Sequence, residues 1–111
     1  MHRIEIERHP HFAIVLAAGE LDAFAAPDLA SAFSEVRGER RVLADLDQVS
    51  FIDSTVLGLI VRAARELGES GAELRIVLPG GSARRIFEIT ALDRVLPVAE
   101  TRVAAVADLA P

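Results

Sequence analysis

A chain of 111 residues with a formal charge of −5, of which 51% are hydrophobic and 26% charged, has apolar material for one core and not for two. It contains no cysteine, tryptophan or tyrosine and only 5% aromatic residues, which excludes disulfides, thiolate metal sites and a Cys nucleophile and leaves few platforms for stacked bases. The acidic balance argues against a nucleic-acid partner, because binders of the phosphate backbone carry a clustered basic face.

The opening stretch MHRIEIERH alternates Ile4 and Ile6 with Arg3, Glu5 and Glu7, the pattern of a half-buried strand and not of a signal peptide, which needs an apolar run. After His9-Pro10-His11, read as a hairpin turn, a second apolar run extends from Phe12 to Ala18 and stops at Gly19. From Pro27, the residues Leu29, Ala32, Phe33 and Val36 recur at helical spacing, with Pro at the start and Gly38 just past the end. Arg41 to Leu46 reads as an interior strand, and Asp47 to Ser50 as a polar connection leading to Phe51-Ile52.

A second helix carries apolar residues from Val56 to Leu67, closed by a turn between Gly68 and Gly71, and a strand follows from Glu73 to Leu78. Pro79-Gly80-Gly81-Ser82 is a loop ending in a residue suited to an N-cap, and Ile86 and Ile89 are expected on the buried side of the next short helix. Leu92 to Val98 returns toward the sheet, and Thr101 opens a last helix carrying Val103, Val106 and Leu109. No apolar run approaches the ~20 residues of a membrane span, so the expectation is a soluble cytoplasmic protein with no membrane partner. Strands alternating with helices after an opening hairpin predict an α/β fold, a mixed sheet with helices packed against it.

The stretch FIDSTVLG, residues 51 to 58, places two hydroxyls behind a carboxylate where strand passes into helix. On a wheel of ~100° per residue, Val56, Leu57, Ile60, Val61, Ala63, Ala64 and Leu67 share one side. Thr55, Gly58, Arg62, Arg65, Glu66 and Glu69 occupy the other, with Leu59 at its edge. Asp53 or Ser54 is suited to the N-cap, which would leave Thr55 an ordinary exposed first-turn residue. The same position also accommodates a phosphate, since free N–H groups and the helix dipole favour negative charge there.

These residues resemble a known family, the STAS domains, and within it the small bacterial anti-sigma factor antagonists. The resemblance is carried by Asp45-Leu46, Val49, Phe51-Ile52-Asp53-Ser54 and Leu57-Gly58, and by Gly19-Glu20-Leu21-Asp22 followed by Pro27-Asp28-Leu29; the later elements match in order and length. It implies one STAS domain over 1–111, with a mixed sheet of four to five strands and about four helices packed mainly on one face. It further implies a protein that binds an anti-sigma factor, itself a serine/threonine kinase, and so frees a sigma factor for transcription, until phosphorylation ends the binding and a phosphatase restores it.

Carried over by position, the phosphate acceptor falls on Thr55, with Ser54 as the alternative. The partner-facing residues fall on Asp22, Asp53, Ser54, Thr55, Gly58, Leu59 and Arg62. The chain departs from the family pattern in having Thr55 for a serine and Val56 for a glycine; a β-branched side chain at that glycine would obstruct a partner if it pointed outward, and the wheel turns it inward. A STAS module that is never phosphorylated, serving as a scaffold or interaction subunit of a signalling or lipid-transport assembly, is the other reading. Whether the chain forms a homodimer stays open.

The remaining candidates read as structural. His2, His9 and His11 lie near the start, and His9 and His11 would share one strand face, but an exposed turn accounts for them without a metal. Gly80-Gly81-Ser82 is a turn and cap rather than a phosphate cradle, for the chain has no lysine. No spacing suggests a Ser-His-Asp arrangement or a Gly-x-Ser-x-Gly elbow, so neither an enzymatic activity nor a cofactor is expected. Arg84 and Arg85 read as a solvated helix face. Leu59 is either part of an apolar contact patch beside Thr55 or the edge of the core.

Overall fold

β1 (His2–Arg8) and β2 (Ala13–Leu21) form the opening antiparallel hairpin. Its turn is closed by a bond from His9 N to Phe12 O at 2.9 Å and by the His9 ring stacked on Phe12 with centroids 4.6 Å apart. The chain then alternates through α1 (Ala26–Glu35), β3 (Arg41–Ile52), α2 (Ser54–Glu69), β4 (Glu73–Val77), α3 (Ser82–Ile89), β5 (Val98–Ala99) and α4 (Arg102–Leu109). This computed structural model describes residues 1–78, 80–94 and 96–109, the side chain of Ser82 excepted.

The five strands stand in the order β1-β2-β3-β4-β5. β2 through β5 are parallel, so the sheet is mixed. Successive strand residues point to opposite faces, and in β2 both faces are buried. Ala13, Val15 and Ala17 join the main core with Leu29 and Phe33 of α1, Val56 and Ile60 of α2, and Phe87 of α3. Ile14 instead packs with Leu43, Val77, Ala105 and Leu109 under α4. Three helices cover one face and α4 alone the other, as the family resemblance implied. Among the described residues, no helix is long and apolar enough to cross a membrane.

The Asp47–Ser50 segment, expected as a connection, is strand. β3 continues beside β2, with Ala18 opposite Gln48 and Leu21 opposite Ile52, through register shifts between Leu16 and Ala18 and between Gly19 and Glu20. The last partner of β3 on its other side is Val77 of β4, opposite Asp45. Beyond that point the strand has one neighbour and thinner cover, so its polar side chains face solvent and their composition resembles a loop.

The short helices depart only in part from the sequence reading, since Ile86, Val106 and Leu109 do pack against the core. Ile89 is 75% exposed, while Ala83 and Phe87 turn inward. Val103 is 81% exposed, and Ala105 and Leu109 are the buried residues of α4. In eight-residue helices a shift of one position moves a side chain by more than a quarter turn, and few apolar residues fix the phase. The cap of α3 falls on Gly81, at φ 124°, where a side chain would strain the backbone, and Ser82 is the first helical residue. Of the stretch from Leu92 to Val98, Leu92–Arg94 forms a 3-10 turn and Val98 begins β5; Val95 lies outside the described residues, as does Pro79 of the preceding loop.

Candidate functional site

β2 and β3 end side by side, and the bond from Asp53 N to Leu21 O at 3.1 Å joins the strand ends just before their helices. Two motifs far apart in the chain, Gly19-Glu20-Leu21-Asp22 and Phe51-Ile52-Asp53-Ser54, thus form one corner at the carboxyl ends of parallel strands, where α/β sheets place their binding residues. Gly19 starts this corner for a steric reason. Its φ is 86°, and a Cβ there would collide with the Met1 carbonyl oxygen.

At α2 the cap is Asp53 and not Ser54. Asp53 is extended (φ −95°, ψ 175°), and its Oδ1 accepts a hydrogen bond from Val56 N at 3.0 Å. Ser54 and Thr55 are therefore the first helical residues, both exposed, at positions whose N–H groups a helix cannot satisfy internally. Val56 is fully buried, so the substituted family glycine leaves no side chain in the way of an approaching partner.

Asp22 organises the other half of the corner. Its Oδ1 accepts from Phe24 N at 3.0 Å and Ala25 N at 3.3 Å, which fixes the turn before α1 and leaves Phe24 87% exposed. Phe51, opposite Glu20 in the sheet, is 48% exposed. Neither exposed phenylalanine was expected at this corner from the sequence. The available signal was that apolar residues in a turn, and at a strand end with a single neighbour, have nothing of their own chain to cover them.

Farther along α2, Gly58 is exposed, and a Cβ built on it meets no atom within 4 Å, so no packing inside the chain requires a glycine there. Arg62 is exposed on the same strip and, among the described residues, makes no ion pair. Leu59 is only 8% exposed. It belongs to the core boundary because α1 lies against it: Leu59 lines a groove with Phe33 and Ala63, and the ion pair of Arg37 with Glu66, at 3.3 Å, spans that seam.

Among the described residues, no group of three or more His, Asp or Glu could hold a metal. His2 pairs with Asp28 at 2.8 Å, while His9 and His11 sit in the exposed hairpin turn, not on a strand face.

The STAS domain model matches residues 3–105. The chain belongs to the STAS domain family. An anti-sigma-B factor antagonist of Staphylococcus aureus is 35% identical over 99 residues, 87% of this chain and 92% of the relative. One from Listeria monocytogenes is 38% identical over 100 residues, covering 86% of each chain. Among solved structures, an anti-sigma factor antagonist from Mycobacterium paratuberculosis superposes with a TM-score of 0.90 at 26% identity, over 98% of this chain and 94% of the other. The STAS signature is therefore found where the geometry locates it, with Asp53 as the cap and the hydroxyls of the first α2 turn outside.

Proposed function

We propose that this STAS protein is an anti-sigma factor antagonist whose docking surface is the corner formed by Asp22, Asp53, Ser54 and Thr55, continued along Gly58 and Arg62. The named relatives support the antagonist role. The observation that carries the switch is the exposed Thr55 hydroxyl in the first turn of a helix already capped by a carboxylate. In its free form the corner binds an anti-sigma factor kinase and releases a sigma factor for transcription. Phosphorylation of Thr55 adds about −1.5 to −2 charges beside Asp22 and Asp53 on a chain that already carries −5, and the complex separates through like-charge repulsion and desolvation until a phosphatase removes the group. Ser54 is the secondary acceptor.

Incubation with the cognate kinase and ATP, followed by mass spectrometry, tests this directly. Phosphate is expected on Thr55, and modification confined to Ser82 or the C-terminal residues would refute the assignment. The scaffold reading separates on Thr55→Glu: a switch loses its kinase partner, whereas a scaffold with contacts elsewhere retains its own.

A further inference from the structure

β1 is an edge strand, bonded on one side only. Glu20 N donates to Met1 O at 3.0 Å and His9 N to Phe12 O at 2.9 Å, so the odd positions of this strand make the ladder bonds to β2. By the alternation of antiparallel pairing, His2, Ile4, Ile6 and Arg8 turn their N–H and C=O groups to the open edge. Beside that edge runs a groove of about 370 Å³ between β1 and α1. Ile4, Ile6 and Ala32 form its floor, and Asp28 and Glu35 its rim, with Asp28 bonded to His2, the sole basic side chain among the lining residues.

We infer that this edge and groove form a second docking surface, which takes an extended basic segment of a partner protein as an added strand. Main-chain bonds to Ile4 and Ile6 supply the pairing. Arg or Lys at alternate positions suits the groove, because the stem lies along the isoleucines while the charged head reaches the carboxylates. A second copy of the chain is the poorer occupant, since it would set the same two carboxylates against themselves. None of these residues belongs to the docking corner at α2, so the inference stands or falls independently of the antagonist reading.

The probe is a nine-residue peptide of alternating threonine and arginine, titrated at low salt into the isotopically labelled protein, with a threonine–glutamate peptide as control. The arginine peptide is expected to slow amide hydrogen exchange at Ile4 and Ile6 and to shift resonances along β1 and α1, and the glutamate peptide to do neither. Asp28→Asn combined with Glu35→Gln should weaken binding about fivefold, the scale of two exposed ion pairs. Ile6→Pro should abolish it without removing a bond to β2, with circular dichroism reporting the fold; if that variant does not fold, the charge variants decide. Equal binding of both peptides, unchanged exchange at Ile4 and Ile6, or a dimeric mass with those amides already protected before the probe is added would each overturn the inference.

Discussion

Arg102 Nε stands 2.8 Å from Oδ2 of Asp45, while its two terminal nitrogens reach the two carboxylate oxygens of Glu7 at 3.2 and 3.1 Å. One guanidinium therefore fastens α4 to both β1 and β3. The other oxygen of Asp45 accepts from Asp47 N at 3.0 Å, at the place where β3 first shifts register against β2, so the buried carboxylate is satisfied on both sides. Replacing Arg102 with Ala strands that charge, and because the guanidinium is itself 39% exposed the cost is about 2 kcal/mol, below the range for a fully buried pair. Urea denaturation should show the loss, and it should shrink sharply in an Asp45→Asn background, where no charge remains to be stranded.

The same contact sets a pH dependence. Arg102's hydrogen bond, against a smaller opposing effect of burial, holds the Glu7 carboxyl below its ordinary value of 4.5. Arg102 itself is held in the charged form by Glu7 and Asp45. A carboxylate depressed in the folded state contributes stability that is fully present above its unfolded pKa and is lost as pH falls through the folded one. Unfolding free energy measured from pH 7 down to pH 3 should thus decline below about pH 4.5, and Glu7→Gln should flatten that decline.

Asp53 is the cap of α2, with one hydrogen bond on which the first turn depends. Asp53→Ala should lower stability by about 1 kcal/mol, and Asp53→Ser should recover most of it. If stability alone mattered at this position, the Ser variant would also restore partner affinity; a contact role for the carboxylate predicts that it does not.

Gly58 reverses the usual relation between fold and binding. With open space where a Cβ would stand, Gly58→Ala should raise stability by about 1 kcal/mol, the propensity gap between the two residues in a helix. In a pull-down with the anti-sigma factor, the same variant should bind more weakly, because a methyl group now stands on the docking strip.

Phe24 is solvent-exposed, so Phe24→Ser should leave unfolding within about 0.5 kcal/mol of the parent. If the Asp22 turn belongs to the proposed docking surface, the same change should weaken the complex with the anti-sigma factor about tenfold, the scale of an interface hot spot. Calorimetric titration reads this number, and unchanged affinity would remove the Asp22 turn from the docking surface.

The long elements were legible in the sequence because periodicity over many residues leaves one solution: the wheel of α2 placed Thr55 outward and Val56 inward, as found. Leu59 shows the limit of that reasoning. A wheel knows only its own helix, and it is α1 that covers this side chain. Ile89 failed for lack of turns to average over, and Asp47–Ser50 failed because a strand with one neighbour has lost the alternation that identifies strands. The corner itself was half visible. Its two motifs could be read separately, but the bond that joins them depends on parallel pairing between strands, which no local pattern encodes.

That bond, from the Asp53 amide to the Leu21 carbonyl, bears on how the protein lets go. Because that bond holds the Asp22 and Asp53 turns side by side at their bases, the proposed phosphate on Thr55 would arrive beside two acidic turns that are tied to each other. In the proposed switch, separation from the partner then relieves the crowding without any rearrangement inside the chain.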